Sequence, residues 1–209
     1  MLDLIPPKNC TRCPRLKAFR DTNAQKFPEK YNAPVPSFGP KTAQLLIVGL
    51  APGLKGANFT GRPFTGDYAG DLLYDTLLKT GFASGAYEKH ASDSLTLQNA
   101  RITNAVRCVP PENKPTTDEI NNCIGFLKDE LAMMSELKII LSLGLIAHKA
   151  VLKTYGLKQS AHKFAHGAVH DLKNITLINS YHCSRYNTQT KRLTAPMFED
   201  VFQTIREHL

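Results

Sequence analysis

Apolar positions in this chain come in short unbroken runs separated by amphipathic stretches. Residues 45 to 50 (LLIVGL) and 137 to 143 (LKIILSL) are apolar almost throughout, the pattern of strands buried on both faces. Residues 99 to 108 (NARITNAVRC) read as another strand, stopped by Pro110 and Pro111, and ITLINSY is the best extended segment between 164 and 182. Helical patterns lie between them. One runs from Gly70 to Thr80 and is closed by Gly81, and another from Thr116 or Thr117 to Met134. Two more run from Gly144 through Tyr155 and from Thr194 or Pro196 to the end. Thr116 and Glu119 have the spacing of a capping box. Strands alternating with helices predict an α/β fold, a mainly parallel sheet with helices on both faces. In such folds the ligand sits beyond the carboxyl ends of the strands. Residues 1 to 43 show no sustained period, so they are expected to form an irregular N-terminal arm on a single domain, 1–209.

Composition narrows the class. The chain is 42% hydrophobic and 21% charged, which fits a packed domain rather than a disordered segment. No apolar run approaches the roughly 18 residues that a membrane span needs. The opening MLDLIPPKNC carries an early acid and early prolines, unlike a signal peptide. A soluble, cytoplasmic protein without a membrane partner is expected. The net charge of +8, from 26 Lys and Arg against 18 Asp and Glu, suits either a plain basic protein or one that meets a phosphate backbone.

Candidate chemistry gathers at the strand ends. After the first strand comes GLAPGLKGANFTGRPFTGD, in which Gly49, Gly53, Gly56, Gly61 and Gly66 accompany Arg62, Phe64 and Asp67. No Gly-Lys-Ser or Gly-Lys-Thr follows, and G-x-G-x-x-G is absent, so neither a Walker loop nor a dinucleotide fingerprint explains it. Such glycine density suits close backbone approach to a planar or anionic ligand, with Phe64 offering a stacking face. Asn104 falls late in the second strand and His182 just after the last one. His182 opens a basic, aromatic loop with Arg185, Tyr186, Asn187, Thr188, Lys191 and Arg192, suited to gripping phosphates. His162, His166 and His170 are spaced by four, but Gly167 argues against one helical face, so they read as structural or surface residues.

The five cysteines are an odd number for a disulfide framework. Cys10-x-x-Cys13 is a metal or cluster knuckle, and Cys108 and Cys123 are dispersed. Soft thiolates select zinc or an iron–sulfur cluster alike. Cys183 has no evident partner and reads as a bystander.

Four motifs, CTRCPRL, GLAPG with GRPFTGD, ITNAVRCVPPENKP and SYHCSRYNTQT, span residues 10 to 190. In order and spacing they resemble the uracil-DNA glycosylases of family 5 (type b), which carry a [4Fe–4S] cluster. The resemblance implies a three-layer α/β/α sandwich around a four-stranded, mainly parallel sheet. It implies that Cys10, Cys13, Cys108 and Cys123 hold a structural cluster that ties the arm 1–43 to the core. It also implies a base pocket of Gly49, Ala51, Gly53, Phe64 and Asn104. Phe64 would stack on a flipped base and Asn104 would read its edge. His182 would face the pyrimidine O2, and Asp67 would sit at the sugar or the attacking water. DNA contacts would come from Arg62, Arg185, Tyr186, Asn187, Lys191 and Arg192. The implied substrate is DNA containing uracil or another deaminated base such as hypoxanthine. The implied enzyme is a monomer that hydrolyses the N-glycosidic bond without a lyase step or a nucleotide cofactor. Leu50 stands where other branches place an acid or amide, which is the type b pattern and leaves Asp67 as the nearest carboxylate. Cys183 stands where relatives tend to have proline. Two other readings remain open on the residues alone: a basic zinc-binding nucleic-acid module, and another α/β hydrolase using the loop for a phosphate ester.

Overall fold

The computed structural model describes residues 6–209, so the first five residues of the expected arm lie outside it. Along the chain the elements are α1 (Pro14–Lys26), β1 (Leu45–Gly49), α2 (Ala57–Thr60), α3 (Tyr68–Lys79), β2 (Ala83–Ser84), β3 (Thr96–Leu97) and β4 (Ala100–Asn104). A single 3₁₀ turn (Pro111–Asn113) leads to α4 (Thr117–Met133), β5 (Ile139–Leu143), α5 (Leu145–Thr154), β6 (Val169–Asp171), β7 (Thr176–Ser180), α6 (Arg185–Gln189) and α7 (Ala195–Glu207).

The main sheet runs β4-β1-β5-β7-β6. The first four strands are parallel, as expected, and β6 adds a short antiparallel edge to β7. A tight turn makes that hairpin: Lys173 takes a positive φ of 73°, and Leu172 N donates to Ile175 O at 2.8 Å. At three residues, with a charged Asp171 and an exposed Val169, β6 has the character of a blunted edge and lacks a buried apolar run. That is why its pattern is faint in the sequence.

Strand pleating divides the core. Leu45 and Ile47 of β1 pack with Leu73 and Leu77 of α3 and with Phe198, Phe202 and Ile205 of α7. The alternate residues, Leu46 and Val48, pack with Leu127 of α4 and with Ala147 and Val151 of α5. Successive side chains on a strand point to opposite faces, so an all-apolar strand demands a helical layer on each side. The result is the expected α/β/α arrangement. α4 begins with a complete capping box between Thr116 and Glu119, a device that contributes about 1 kcal/mol. β1 lies between β4 and β5, which leave it in opposite directions. Such a reversal opens a crevice beyond the strand's carboxyl end.

The N-terminal stretch departs from expectation, because residues 14–26 form α1 rather than irregular chain. Its buried residues are Leu16, Arg20 and Asn23, at helical spacing, but two of the three are polar. An apolar period is therefore missing even though a buried face exists. Further on, Phe38 bridges Ile102 antiparallel, and Val35 N donates to Arg107 O at 2.7 Å. The arm thus covers the free edge of β4.

Candidate active site

At the end of β1, Gly49 stands in register with Asn104 of β4. A Cβ on Gly49 would lie 2.6 Å from Phe64 Cζ and closer still to Asn104 Oδ1. Only glycine therefore lets these two side chains meet over the strand end. Asn104 is 3% exposed, and the amide atom assigned as Oδ1 has no hydrogen-bond partner. A buried amide atom left unpaired costs roughly 1–3 kcal/mol, so it marks a place where a ligand is awaited.

Phe64 is buried and has a φ of 53°. For a bulky residue this left-handed conformation is a true outlier, costing on the order of 1–3 kcal/mol. Its carbonyl is held by the Tyr87 hydroxyl at 3.3 Å, while the preceding carbonyl, Pro63 O, accepts from the Tyr74 hydroxyl at 2.6 Å.

Asp67 caps α3, its Oδ1 accepting from Gly70 N at 3.2 Å. The expected helix start at Gly70 was late; an Asp just before YAGDLLYDTLL was the available cap signal. The second oxygen, Oδ2, lies against the glycine loop: a Cβ on Gly53 would stand 3.0 Å from it, and one on Gly56 2.8 Å from Asp67 Cγ. Burial raises the Asp67 pKa above the ordinary carboxylate value, against the lowering by the cap hydrogen bonds.

His182 follows β7, and its ring stacks on Phe64 with centroids 5.8 Å apart and planes 28° apart. Burial lowers its pKa to about 4, with no charge to offset it, so the imidazole is neutral at pH 7. A cavity of about 360 Å³ opens beside it, lined by Leu50, Gly144, Ile146, Tyr181, Asn187 and Arg192 among others. Phe64, Asn104 and Asp67 do not line this cavity; they lie on the glycine-loop side of the site. Asn187 Nδ2 donates to His182 O at 2.8 Å, so this residue supports the histidine. Arg192 places its guanidinium 4.5 Å over the Tyr181 ring. Arg185 and Lys191 are exposed, and Tyr186 is 71% exposed, an unusual position for a large ring.

Two expected site residues are placed elsewhere. Arg62 is not available to a DNA phosphate. It is 5% exposed, paired through both terminal nitrogens with Asp93 at 2.6 and 2.7 Å, and its Nε donates to Thr65 Oγ1 at 2.8 Å. Phe38, Tyr74 and Tyr87 surround its guanidinium. Asp93 lies 31 residues away, so the sequence carried no local sign of the pair. Ala51 packs against the cysteine-bearing cluster rather than beside Phe64. Of the histidine series, expected to be structural or surface residues, His170 joins a hydrogen-bond network with His148 and Asn179. His148 Nδ1 pairs with Asn179 Oδ1 at 2.9 Å, and Asn179 Nδ2 meets His170 Nε2 at 3.2 Å.

Cys10, Cys13, Cys108 and Cys123 line one small pocket with Leu16, Arg20 and Phe126. Its free volume is only about 10 Å³, so donor chemistry rather than empty space tests the fit to a metal group. Burial pushes the Cys108 thiol up to about 12 and raises Cys13 and Cys123. Thiols so buried become ligands only if a cation compensates their charge. N–H groups already point at the sulfurs: Arg20 Nη1 to Cys108 at 3.0 Å, and Arg107 N to Cys123 at 3.4 Å. Among the described residues, no three His, Cys, Asp or Glu side chains are set to hold a single metal ion. Four thiols lining one pocket are a soft donor set that suits zinc or an iron–sulfur cluster alike.

Behind this pocket, Glu130 is 2% exposed and lies between Arg101 and Arg107. Burial raises its pKa, yet Arg107, Ser37 and Arg101 together outweigh it and hold the carboxyl below the ordinary value. The same carboxylate accepts from Thr103 Oγ1 at 2.9 Å, one residue before Asn104.

Comparison with known proteins matches residues 36–206 to the uracil DNA glycosylase superfamily. A type-5 uracil-DNA glycosylase of Thermus thermophilus is 44% identical over 198 residues, 92% of this chain and 90% of that protein. Type-5 uracil-DNA glycosylases of Mycobacterium leprae and Pyrobaculum aerophilum are 39% and 36% identical, covering 95% and 93% of this chain and 90% and 87% of theirs.

Proposed function

The chain belongs to the uracil-DNA glycosylase superfamily, hydrolases of N-glycosyl bonds, and we propose that its strand-end residues excise uracil flipped out of DNA. A target base inside the stack must be extruded, at a cost of a few kcal/mol that is smallest at a mismatch. Arg185, Lys191 and Arg192 offset this through phosphate contacts, and the exposed Tyr186 enters the gap left behind. The base then stacks on Phe64. The Asn104 amide, unpaired in the protein, takes up the Watson–Crick edge of the base.

Breaking the glycosidic bond leaves negative charge on the base and positive charge on the sugar. His182, kept neutral by burial, has an N–H to give to O2 as charge builds there. A neutral donor suits this role because it makes its strongest hydrogen bond in the transition state. Asp67, the carboxylate nearest the loop, faces the sugar side, where it stabilises the cation or orients water. Its pinned cap geometry removes the need to reorganise during reaction.

Cys10, Cys13, Cys108 and Cys123 would hold a [4Fe–4S] cluster. Bound there, it would act as a cross-link between α1, the segment after β4 and α4. Such a cross-link would tie the arm to the core as part of a single domain. All five cysteines are unpaired, as in a reducing cytoplasm.

The observation that carries this reading is the unpaired Asn104 amide beside the strained Phe64 and the neutral His182. Incubation with a duplex bearing one labelled deoxyuridine tests it. Release of free uracil, with strand breaks only after alkali, is expected. Intact uracil would sink the assignment, and breaks without alkali would show a lyase step. Broad visible absorption and iron content of the purified protein test the cluster, whereas a colourless zinc protein would refute it.

A further inference from the structure

The loop between β2 and β3 packs against the glycine segment and has no part in the chemistry above. Asp93 stiffens it, accepting from Glu88 N at 3.0 Å and Leu95 N at 3.1 Å within the loop. The same carboxylate takes the forked pair from Arg62, which locks the loop onto the glycine segment. Its aspartate side chain is fully buried. This anchor delivers Tyr87. The Tyr87 ring packs 4.5 Å from Tyr74, and its hydroxyl donates to Phe64 O at 3.3 Å and accepts from Gly66 N at 3.2 Å. One hydroxyl therefore ties both ends of Phe64–Thr65–Gly66, the turn in which Phe64 has a φ of 53° and Gly66 one of 88°. Gly70 leaves the room required: a Cβ there would stand 2.6 Å from the Tyr87 hydroxyl and closer still to Phe64 O. Asp67 is the next residue after this turn.

We propose that Tyr87 is a positioning residue, whose hydroxyl bridges Phe64 O and Gly66 N to hold the Phe64 ring and the Asp67 carboxylate in their working places. It touches neither base nor sugar and acts through the turn alone. The proposal rests on reading Phe64 as the base platform. An unclasped Phe64 would relax from its left-handed conformation and carry the ring, and the start of α3, out of line with His182. Misplacement of this kind slows the chemical step while leaving phosphate contacts intact.

Tyr87→Phe keeps the ring on Tyr74 and removes only the clasp. At saturating uracil-containing DNA, single-turnover cleavage should fall by about ten- to a hundred-fold. Affinity for the same DNA should stay within about two-fold, because no phosphate contact changes. Amide exchange of Gly66, followed by NMR, should accelerate in Tyr87→Phe whether or not the enzyme is turning over. Arg62→Lys, which weakens the anchor one step back, should show the same split in milder form. Cleavage at the wild-type rate in Tyr87→Phe overturns the proposal. So does a parallel loss of rate, DNA affinity and fold, which would mark Tyr87 as merely structural. Unchanged Gly66 exchange overturns it as well. Absence of uracil release by the wild-type protein would instead remove the function proposed above, while the Gly66 exchange still judges the clasp.

Discussion

Two chambers flank the segment from Asn104 to Cys108, and they handle polarity in opposite ways. On the strand-end side, Asn104 keeps an amide atom unpaired and His182 is kept uncharged. On the arm side, the thiols are met by N–H groups from Arg20 and Arg107, and the nearby Glu130 is held between two arginines. The first chamber is built to be completed by a transient ligand. The second is held mainly by charge pairs within the protein, although Arg107 Nε is also left without a partner. Beside Asn104 stands the strained Phe64, whereas Arg101, Arg107 and Glu130 pair with one another on the arm side.

If the chambers differ in this way, removing a thiol should damage the fold and spare the chemistry. Cys123→Ser should abolish visible absorption, release the arm to proteolysis and lower the melting temperature. The cleavage rate per folded molecule should stay near that of the parent. Full protease resistance in the variant would deny the cysteine chamber its cross-linking role.

The strand-end chamber should respond in reverse. His182→Ala should cost about 10²–10³ in single-turnover rate, the usual loss for one oxyanion donor, with DNA affinity and melting temperature little changed. A retained rate would remove His182 from the mechanism. Its ring also carries a linkage. The folded value of about 4 lies below the ordinary 6.5, so the unfolded chain binds the proton more readily. Stability tied to this ring is whole above about pH 6.5 and declines as pH falls toward about 4.

The smallest effect is a pH limb. Burial raises the Asp67 pKa, so cleavage should decline on acidification at a pH above the ordinary carboxylate range. Asp67→Asn should be slower and should lack that limb. A limb that persists in the variant belongs to another group.

Parts of this arrangement were legible in residue order. The buried strands, the capping box, the glycine loop and the Cys10-x-x-Cys13 knuckle each rest on near neighbours in sequence, where period and spacing carry physical meaning. Asn104 and His182 were legible because strand ends in α/β folds are where ligands bind. α1 was missed because its buried face uses Arg20 and Asn23, polar side chains that leave no apolar period. Arg62 was misread as a DNA contact because an arginine in a basic protein looks free until its partner is known.

By itself, then, the amino-acid order determined the α/β class, the family, and the residue types at the strand ends and in the cysteine set. Local propensity and apolar period act over a few residues, so they can be read from a string. Only the tertiary structure decided which charges are spent on the fold and which remain for a ligand. Arg62 with Asp93, Tyr87 with Phe64, and Glu130 with Arg101 and Arg107 are pairings across 23 to 31 residues. Whether such a group is buried and paired or left open depends on how whole elements pack.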